Sequence, residues 1–268
     1  MERGVRGAGP VPIIRDPARW AAARIALVPR IAHLEDPAAL RAALVDATRV
    51  VSTAHARYAA MVIAAAPPNA RLVFLGSTRR FTRFPDEHGN GVIVGEAAFL
   101  ASGRAGVMLH PTMIYGAQGE DNVQRLARLL RRVPVLPLPN GGAALVQPIH
   151  QDDVTRAVLA ALDRNWDGPN TIVIAGPHAI PYADFVRAIA RAAGIRAPRI
   201  MPCPAAPLIT LARLTRRLPF LPNVRTAEIR RLLEDKAFDI GPMRTLLGVT
   251  PMPLEAGLAR TFATPHNA

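Results

Sequence analysis

Two segments decide the fold: Arg71-Leu-Val-Phe-Leu-Gly-Ser-Thr78 and Gly106-Val-Met-Leu-His-Pro-Thr-Met-Ile-Tyr-Gly116. Each is a short apolar run ended by small or turn-forming residues, a pattern typical of a buried parallel strand. Between them, residues 95–102 read as a short helix that ends at a glycine suited to a left-handed cap. Strand, helix and strand form a right-handed βαβ unit. Because ligands of such sheets lie beyond the carboxyl ends of the strands, we expect Gly76-Ser77-Thr78 and His110-Pro111-Thr112 to share one rim.

Strand-like and helix-like patterns alternate on both sides of this unit. Asp36-Pro37 predicts a helix start, since aspartate caps helices and proline suits their first position. The alternation predicts an α/β fold, with a doubly wound parallel sheet in residues 1–118 and a smaller, mainly helical lobe in residues 119–268, from which some strands return to the sheet. The predicted strands are 11–15, 48–53, 145–149 and 171–175, with an apolar piece at 25–34, and the predicted helices are 37–44, 58–66, 122–132, 152–161, 181–193 and 225–234.

The composition is strongly basic, with 33 Lys and Arg against 20 Asp and Glu and a net charge of +13. Nucleic acid is not the expected partner, because the basic residues are spread along the chain, aromatic residues make up only 5% and no zinc-finger spacing occurs. Phosphate-bearing small molecules and an anionic membrane surface both remain open. The single cysteine, Cys203, excludes an internal disulfide, and no apolar run reaches the roughly 18 residues that span a bilayer. We expect a cytoplasmic protein.

An ordered series of short pieces resembles the extended short-chain dehydrogenase/reductase superfamily, in its NAD-dependent epimerase/dehydratase branch. Each piece is weak alone, but together they cover nearly the whole chain in the family's order. The pieces are Ile-Ile-Arg-Asp-Pro (13–17), His-Leu-Glu-Asp-Pro-Ala-Ala-Leu (33–40), Val-Val-Ser-Thr-Ala (50–54), Leu-Val-Phe-Leu-Gly-Ser-Thr (72–78), Pro-Thr-Met-Ile-Tyr-Gly (111–116), Gln-Pro-Ile-His-Gln-Asp-Asp-Val (147–154), Ala-Gly-Pro-His-Ala-Ile-Pro-Tyr (175–182), Glu-Asp-Lys-Ala-Phe-Asp-Ile (234–240) and Leu-Gly-Val-Thr-Pro (247–251).

The resemblance implies a Rossmann-like domain that holds NAD or NADP, with a lobe over a small-molecule substrate such as a nucleotide sugar. Carried over by position, the cofactor residues are Arg15 and Asp16 at the adenosine ribose, Leu34 at the adenine, Ser52, Thr53 and Ala54 along the cofactor, Gly76 at the rim and Pro111 near the nicotinamide amide. Ser77 and Thr78 would face the substrate hydroxyl that is oxidised. The substrate residues would be Thr112, Tyr115, Asn122 and Arg225, the last of these for a diphosphate.

Two features depart from the family. The family begins with a strand and Gly-x-x-Gly-x-x-Gly, which holds the pyrophosphate at a helix N-terminus. This chain reads as beginning after both, so that its first strand matches the family's second. The family's catalytic Tyr and Lys lie four residues apart on one helix face, but the sole lysine here is Lys236, and in the family's register the two positions are His88 and Val92.

His88 is the candidate substitute base, since an ordinary histidine pKa near 6.5 suits the task, and an exposed loop histidine is the alternative. Glu96 is interpreted as a helix-face residue. No cluster of metal ligands is predicted. The leading functional interpretation is an NAD(P)-dependent epimerase/dehydratase-like enzyme working by hydride transfer. The alternatives are a non-catalytic relative that binds a nucleotide or partner, and a peripheral membrane protein attached through the arginine-rich region 208–231; a homodimer is also open.

Overall fold

The computed structural model describes residues 9–116, 122–207, 230 and 232–263. Helices and strands alternate through most of this part of the chain. The strands are β1 (Ile13–Ile14), β2 (Arg30–Ile31), β3 (Arg49–Ser52), β4 (Arg71–Leu75), β5 (Gly106–Pro111), β6 (Ile114–Tyr115), β7 (Val135–Pro139), β8 (Leu145–Val146), β9 (Ile149–His150), β10 (Pro169–Ile174), β11 (Ile180–Pro181) and β12 (Arg199–Cys203). The α-helices are α1 (Pro17–Ala22), α2 (Pro37–Leu44), α3 (Ala59–Ala65), α4 (Glu87–Ala101), α5 (Asn122–Leu130), α6 (Gln151–Asp163), α7 (Tyr182–Ala192), α8 (Gly241–Leu247) and α9 (Leu254–Ala263).

The central sheet has four parallel strands in the order β10-β5-β4-β3. The segments 71–78 and 106–116 therefore supply its two inner strands, and α4 connects them, which confirms the predicted βαβ unit. β10 comes from late in the chain and pairs with β5 along its whole length. Apolar side chains cover both faces, so each inner strand is a nearly continuous apolar run rather than an alternating one.

The first two strands stand apart from this sheet. β1 and β2 pair with each other in parallel, and neither is hydrogen-bonded to the four-stranded sheet in the described part of the chain. The doubly wound order is therefore interrupted between β1 and β3. A groove, described below, lies at this interruption.

Helix α4 is longer than the sequence predicted. It begins at Glu87 instead of Gly95, because the Asp86 side chain accepts a hydrogen bond of 2.7 Å from the Gly89 N–H and caps the first turn. The composition of residues 85–91, with Gly89 and Gly91, suggested a loop, but these glycines lie within the helix and allow close packing instead. His88 consequently lies on the first turn of a helix and is partly buried, so the alternative of an exposed loop histidine is wrong.

Element boundaries after residue 121 also differ from the predictions. The predicted strand 145–149 is two short strands, β8 and β9, which pair with different partners. Helix α6 begins at Gln151 and is capped by His150, whose Nδ1 accepts a hydrogen bond of 3.2 Å from the Asp152 N–H. The predicted helix 225–234 lies mostly outside the described residues. Apart from the central sheet, β7 pairs with β12 in parallel, and α5, α7 and α9 pack around a separate apolar cluster.

No helix in the described ranges combines the length and the apolar character needed to cross a membrane.

Packing between α4 and the turn after β3 depends on Gly95. A Cβ atom at this position would lie 1.9 Å from the Ala56 carbonyl oxygen, far inside van der Waals contact. The helix therefore approaches the neighbouring backbone more closely than any other residue type allows.

We predict that Gly95→Ala destabilises the fold by roughly 3 kcal/mol, because the clash with the Ala56 backbone outweighs the better helix propensity of alanine. Chemical denaturation measures the change. Gly168→Ala is the control, since a Cβ there would meet nothing within 4 Å, and its effect should stay within about 0.5 kcal/mol. Equal stability of the two variants would contradict the packing argument.

Candidate functional site

The carboxyl ends of β4 and β5 form one rim, as predicted. The Ser77 N–H donates a 3.2 Å hydrogen bond to His110 Nδ1, and the Thr78 hydroxyl donates one of 3.2 Å to the Pro111 carbonyl. Gly76 permits this contact, because a Cβ there would lie 2.4 Å from His110 Nδ1. The two predicted rim segments are therefore joined directly, by a backbone donor on one strand and an imidazole on the next.

A buried charge cluster lies beneath the rim. Glu96 of α4 is only 5% exposed, and its Oε2 lies 2.5 Å from Arg80 Nε and 3.2 Å from His110 Nε2. Since His110 Nδ1 accepts the Ser77 N–H, the proton of the neutral ring is on Nε2, which faces the carboxylate. Glu96 was interpreted as a helix-face residue; it does lie on α4, and its face of the helix is buried, because the short turn after β4 and the end of β5 cover it.

Burial sets the charges in this cluster. It lowers the pKa of His110 to about 4, with the positive charge of Arg80 acting in the same direction. It raises the pKa of Glu96, while the Arg80 guanidinium opposes that rise. At neutral pH the imidazole is therefore neutral; its Nδ1 accepts the hydrogen bond from the rim, and its Nε2 lies 3.2 Å from Glu96 Oε2.

The predicted substrate-facing hydroxyls have local hydrogen bonds. Ser77 Oγ accepts a 3.2 Å bond from the Arg79 N–H and caps the 3-10 turn Thr78–Phe81. Each hydroxyl is partly exposed at the rim, and Ser77 Oγ keeps its own proton to donate. Both residues therefore stay at the position that the sequence predicted, with part of their hydrogen-bonding capacity used by the fold.

Two of the predicted substrate residues are enclosed by protein. Tyr115 is 1% exposed, its hydroxyl is 3.5 Å from the Leu254 carbonyl, and burial raises its pKa. The Thr112 hydroxyl donates a 2.5 Å bond to the Gln147 carbonyl. These placements argue against direct substrate contact, because neither hydroxyl is free of protein partners.

Of the other two predicted substrate residues, only Asn122 is described. Asn122 is exposed at the start of α5, and its side-chain nitrogen is 3.5 Å from the Ile114 carbonyl. Arg225 lies outside the described residues.

A groove of about 510 Å³ lies between the β1–β2 pair and β3. Its apolar part comes from Ile13, Leu40, Leu44, Val50 and Val62, and polar groups stand at its mouth. The structure brings into this groove five of the eight residues predicted for the cofactor, namely Arg15, Leu34, Ser52, Thr53 and Ala54.

The remaining predicted cofactor residues lie elsewhere. Gly76 and Pro111 are at the rim of β4 and β5. The Asp16 carboxylate caps α1 by accepting a 3.1 Å bond from the Arg19 N–H. Arg15 rather than Asp16 is therefore the charged residue that β1 presents to the groove.

Backbone groups also face the groove. In β1, Pro12 and Ile14 accept hydrogen bonds from β2, at 2.8 and 3.0 Å. Since successive peptide groups of a strand point to opposite edges, those of Ile13 point away from β2. The Arg71 N–H of β4 donates a 3.0 Å hydrogen bond to the Thr48 carbonyl, so the same alternation turns the peptide groups of Val51 away from β4. A ligand in the groove would meet these donors and acceptors as well as side chains.

His88 packs against His55, which directly follows the predicted cofactor residues. The two rings meet edge to face with centroids 4.3 Å apart, and His55 Nδ1 accepts the Arg57 N–H at 3.1 Å. Burial is the main reason that the pKa of each histidine is lowered, with Arg79 adding to the effect at His88 and Arg57 at His55. Both rings are therefore neutral near pH 7, and His88 is able to accept a proton there.

Sequence reasoning missed several residues that shape this region. Arg80, His55 and Glu234 were not predicted as parts of the site. Glu234 is 5% exposed and holds the loop beyond the rim, accepting a 2.6 Å bond from the Thr82 hydroxyl and another from the Arg83 N–H. The sequence carries no local signal for such contacts, because Glu234 is about 150 residues away from the loop that it holds. In the described residues there is no group of three potential metal ligands.

The sequence matches no protein-family profile and no curated protein. The structure, in contrast, is similar to many solved structures. An NADPH-dependent quinone oxidoreductase from Escherichia coli solved with NADPH gives a TM-score of 0.70 at 18% identity, covering 94% of this chain and 90% of that one. PA4631, a nucleoside-diphosphate-sugar epimerase from Pseudomonas aeruginosa, gives 0.69 at 20% identity, covering 94% and 87%. A triphenylmethane reductase from Citrobacter sp. gives 0.70 at 12% identity, covering 95% and 90%.

Identities this low establish the fold alone. The chain has a Rossmann-like fold, which confirms the fold class expected from the sequence.

His110 predicts a pH dependence of stability. Its pKa is about 4 when folded, against 6.5 for an unperturbed histidine, so the unfolded chain takes up the proton first as the pH falls. The contribution of the neutral imidazole to the free energy of unfolding is fully present above pH 6.5. It should fall by roughly 3 kcal/mol between pH 6.5 and pH 4. Because Glu96 titrates nearby with a raised pKa, the effect is measured as a difference between the wild type and His110→Gln.

Urea denaturation at several pH values gives this difference. The advantage of the wild type over His110→Gln should shrink as the pH falls through that window. Exposed His178 supplies the control, and His178→Gln should follow the wild type. Parallel curves for the wild type and His110→Gln would show that the buried imidazole is protonated without cost.

Proposed function

We propose that this chain binds the adenosine half of a nicotinamide dinucleotide in the groove between β1 and β3. The observation that carries the proposal is the convergence of Arg15, Leu34 and Ser52–Ala54 on one cavity of about 510 Å³, although these residues are up to 39 positions apart. The fold supports it, since solved structures with the same fold include complexes with NADPH and with NAD.

The groove fits the adenosine half well. Leu34, Ile13 and Leu40 offer apolar surface to an adenine ring, and Arg15 with Glu35 offers polar partners to a ribose. The Tyr58 hydroxyl donates a 3.3 Å hydrogen bond to Glu35 Oε1, which fixes that carboxylate at the edge of the groove.

The groove offers fewer contacts to the pyrophosphate of a dinucleotide than to its adenosine half. No glycine is among the residues that line the groove, and in the described part of the chain no helix N-terminus with a glycine-rich turn borders it. Such a turn would supply several charge-assisted hydrogen bonds, each contributing roughly 1.5–3 kcal/mol. We therefore expect weaker binding of the whole dinucleotide than its adenosine contacts alone suggest.

Arg15 favours NADP(H) over NAD(H). A guanidinium at the ribose end can hold a 2′-phosphate, whereas an acid there prefers the free 2′-hydroxyl. The Asp16 carboxylate is directed to the start of α1 and Arg15 lines the groove. Glu35 lies at the same mouth and reduces this preference, so a clear but moderate selectivity is expected.

Calorimetric titration with 2′,5′-ADP and 5′-AMP tests the role of Arg15. We predict that Arg15→Gln weakens 2′,5′-ADP binding about tenfold and changes 5′-AMP binding less than about twofold, because only the first ligand carries the 2′-phosphate. Arg19→Gln is the matched control, since Arg19 is exposed four residues later and does not line the groove. The proposal fails if neither ligand binds at millimolar concentration, or if both variants lose the same affinity.

A second candidate function is hydride transfer involving a hydroxyl or carbonyl compound, with a nucleotide sugar as the leading substrate class. The observation that favours it is the neutral His55–His88 pair on the turn and helix next to the groove and rim. A bound nicotinamide would supply the hydride acceptor or donor. Ser77 and Thr78 would hold the substrate oxygen at the rim, and His88 would take or return its proton.

His88→Asn tests this candidate, because asparagine keeps a polar group of similar size but cannot take up the proton. We predict that NADPH oxidation by a quinone, and NADP⁺ reduction by a sugar nucleotide, each fall at least about a hundredfold in the variant, while 2′,5′-ADP binding is retained. Undiminished turnover would remove His88 as the base. A wild type that binds the nucleotide but turns over no substrate would favour the non-catalytic alternative.

A further inference from the structure

A second cavity, of about 860 Å³, lies in the lobe and carries a high density of positive charge. Four arginines line it: Arg131, Arg132, Arg196 and Arg199. No acidic residue is among its lining residues. All four side chains are exposed, and within the described residues none of their guanidinium groups forms a hydrogen bond or an ion pair.

Secondary structure brings these four residues together from two separate segments. Helix α5 ends at Leu130, so Arg131 and Arg132 directly follow it. Helix α7 ends at Ala192, and Gly194 turns the chain with a φ of +64°.

The parallel pairing of β7 and β12 then fixes the two segments side by side. Arg199 is in register with Val135, and its N–H donates a 2.9 Å hydrogen bond to the Pro134 carbonyl. The cavity therefore has a backbone frame and is not a chance meeting of long side chains.

Helix-end electrostatics explains only part of this arrangement. Arginines after a helix stabilise its last carbonyl groups, which suits Arg131 and Arg132 at the end of α5. Arg199 begins the strand β12, seven residues after the end of α7, so its place is not explained by the last turn of that helix. Four like charges around one concavity repel one another, so an anion in the cavity would relieve a cost that the helix ends do not remove.

We propose that this cavity binds a ligand with clustered phosphate groups. Guanidinium groups pair with phosphate oxygens through two parallel hydrogen bonds, and several of them around one cavity suit several phosphates better than one. The volume exceeds what a single phosphate fills. Val135, which is 41% exposed and also lines the cavity, adds apolar surface beside the charges. Two sources carry this chemistry: a soluble polyphosphate compound and the headgroups of anionic lipids.

The site is independent of the nucleotide groove, because the two cavities share no lining residue. Inorganic tripolyphosphate is the soluble probe, and vesicles of phosphatidylcholine containing phosphatidic acid are the membrane probe. The full chain is used in both arms, with calorimetry for the first and vesicle sedimentation for the second.

The diagnostic variant is Arg132→Gln with Arg199→Gln, which removes one guanidinium from each segment. Its control is Arg41→Gln with Arg244→Gln, which removes the same net charge from exposed positions on α2 and α8 outside the cavity. We expect the wild type and the control to bind tripolyphosphate with similar affinity, and the cavity variant to bind at least about tenfold more weakly. Circular dichroism and thermal melting confirm that each variant is folded, as expected for exposed side chains.

A lysine pair, Arg132→Lys with Arg199→Lys, separates charge from fold damage. It should retain most of the affinity, since lysine keeps the charge and loses only the paired geometry. Equal weakening in the cavity variant and the control would show a diffuse charge effect and overturn the proposal, as would the absence of wild-type binding at millimolar tripolyphosphate. If vesicles bind and tripolyphosphate displaces them, the phosphate source is a lipid headgroup; if only tripolyphosphate binds, the ligand is soluble.

Discussion

The site depends on one buried carboxylate. Glu96 of α4 is enclosed between the turn after β4, through Arg80, and the end of β5, through His110. A buried charge is tolerated only when it is paired, so these elements are bound to one another by the cost of separating them. His110 connects Glu96 with the rim, because its other ring nitrogen accepts a hydrogen bond from the Ser77 N–H. The position of the rim is thus tied to the packing of His110 beside Glu96.

The groove has the opposite character. The rim is held by buried charge and close packing, whereas the groove between β1 and β3 is bordered by two strands that are each paired on one side only. Strand edges with free peptide groups normally lie against another strand or against solvent. Here the apolar residues beneath them leave a cavity of about 510 Å³, with Arg15 and Glu35 at its mouth. A small ligand with both apolar and polar parts suits such a space, and this is the physical basis of the nucleotide proposal.

Basic charge is used in different ways across the molecule. Arg80 neutralises a buried carboxylate, and Arg30 forms a bidentate pair with Asp46, with nitrogen to oxygen distances of 2.5 and 2.7 Å. The arginines around the lobe cavity have no such partner in the described structure. The excess of arginine over acid is therefore not spread evenly, and its local concentration is what distinguishes a phosphate site from general basicity.

The two inner strands and their shared rim could be predicted from the amino-acid sequence alone. Apolar runs such as 71–75 are local signals, and the carboxyl ends of adjacent parallel strands must meet. Asp36 as the helix cap of α2 followed from the same kind of local chemistry. The sequence also supplied a fold-level resemblance that the solved structures confirm. It misplaced the start of α4, because residues 85–91, with Gly89 and Gly91, read as a loop. Those glycines serve close packing, and the Asp86 cap was not recognised.

Which charges are buried, and which residues contact one another, follows from the tertiary fold and not from local sequence patterns. Glu96 reads as an ordinary helix residue until Arg80 and His110 cover it, and Tyr115 reads as a site residue until protein encloses its ring. The same holds for the convergence of Arg132 and Arg199, which depends on the pairing of β7 with β12. Local patterns follow from neighbours along the chain, whereas burial and charge pairing arise between segments tens of residues apart. For that reason a single sequence specifies the elements of this site but not their contacts.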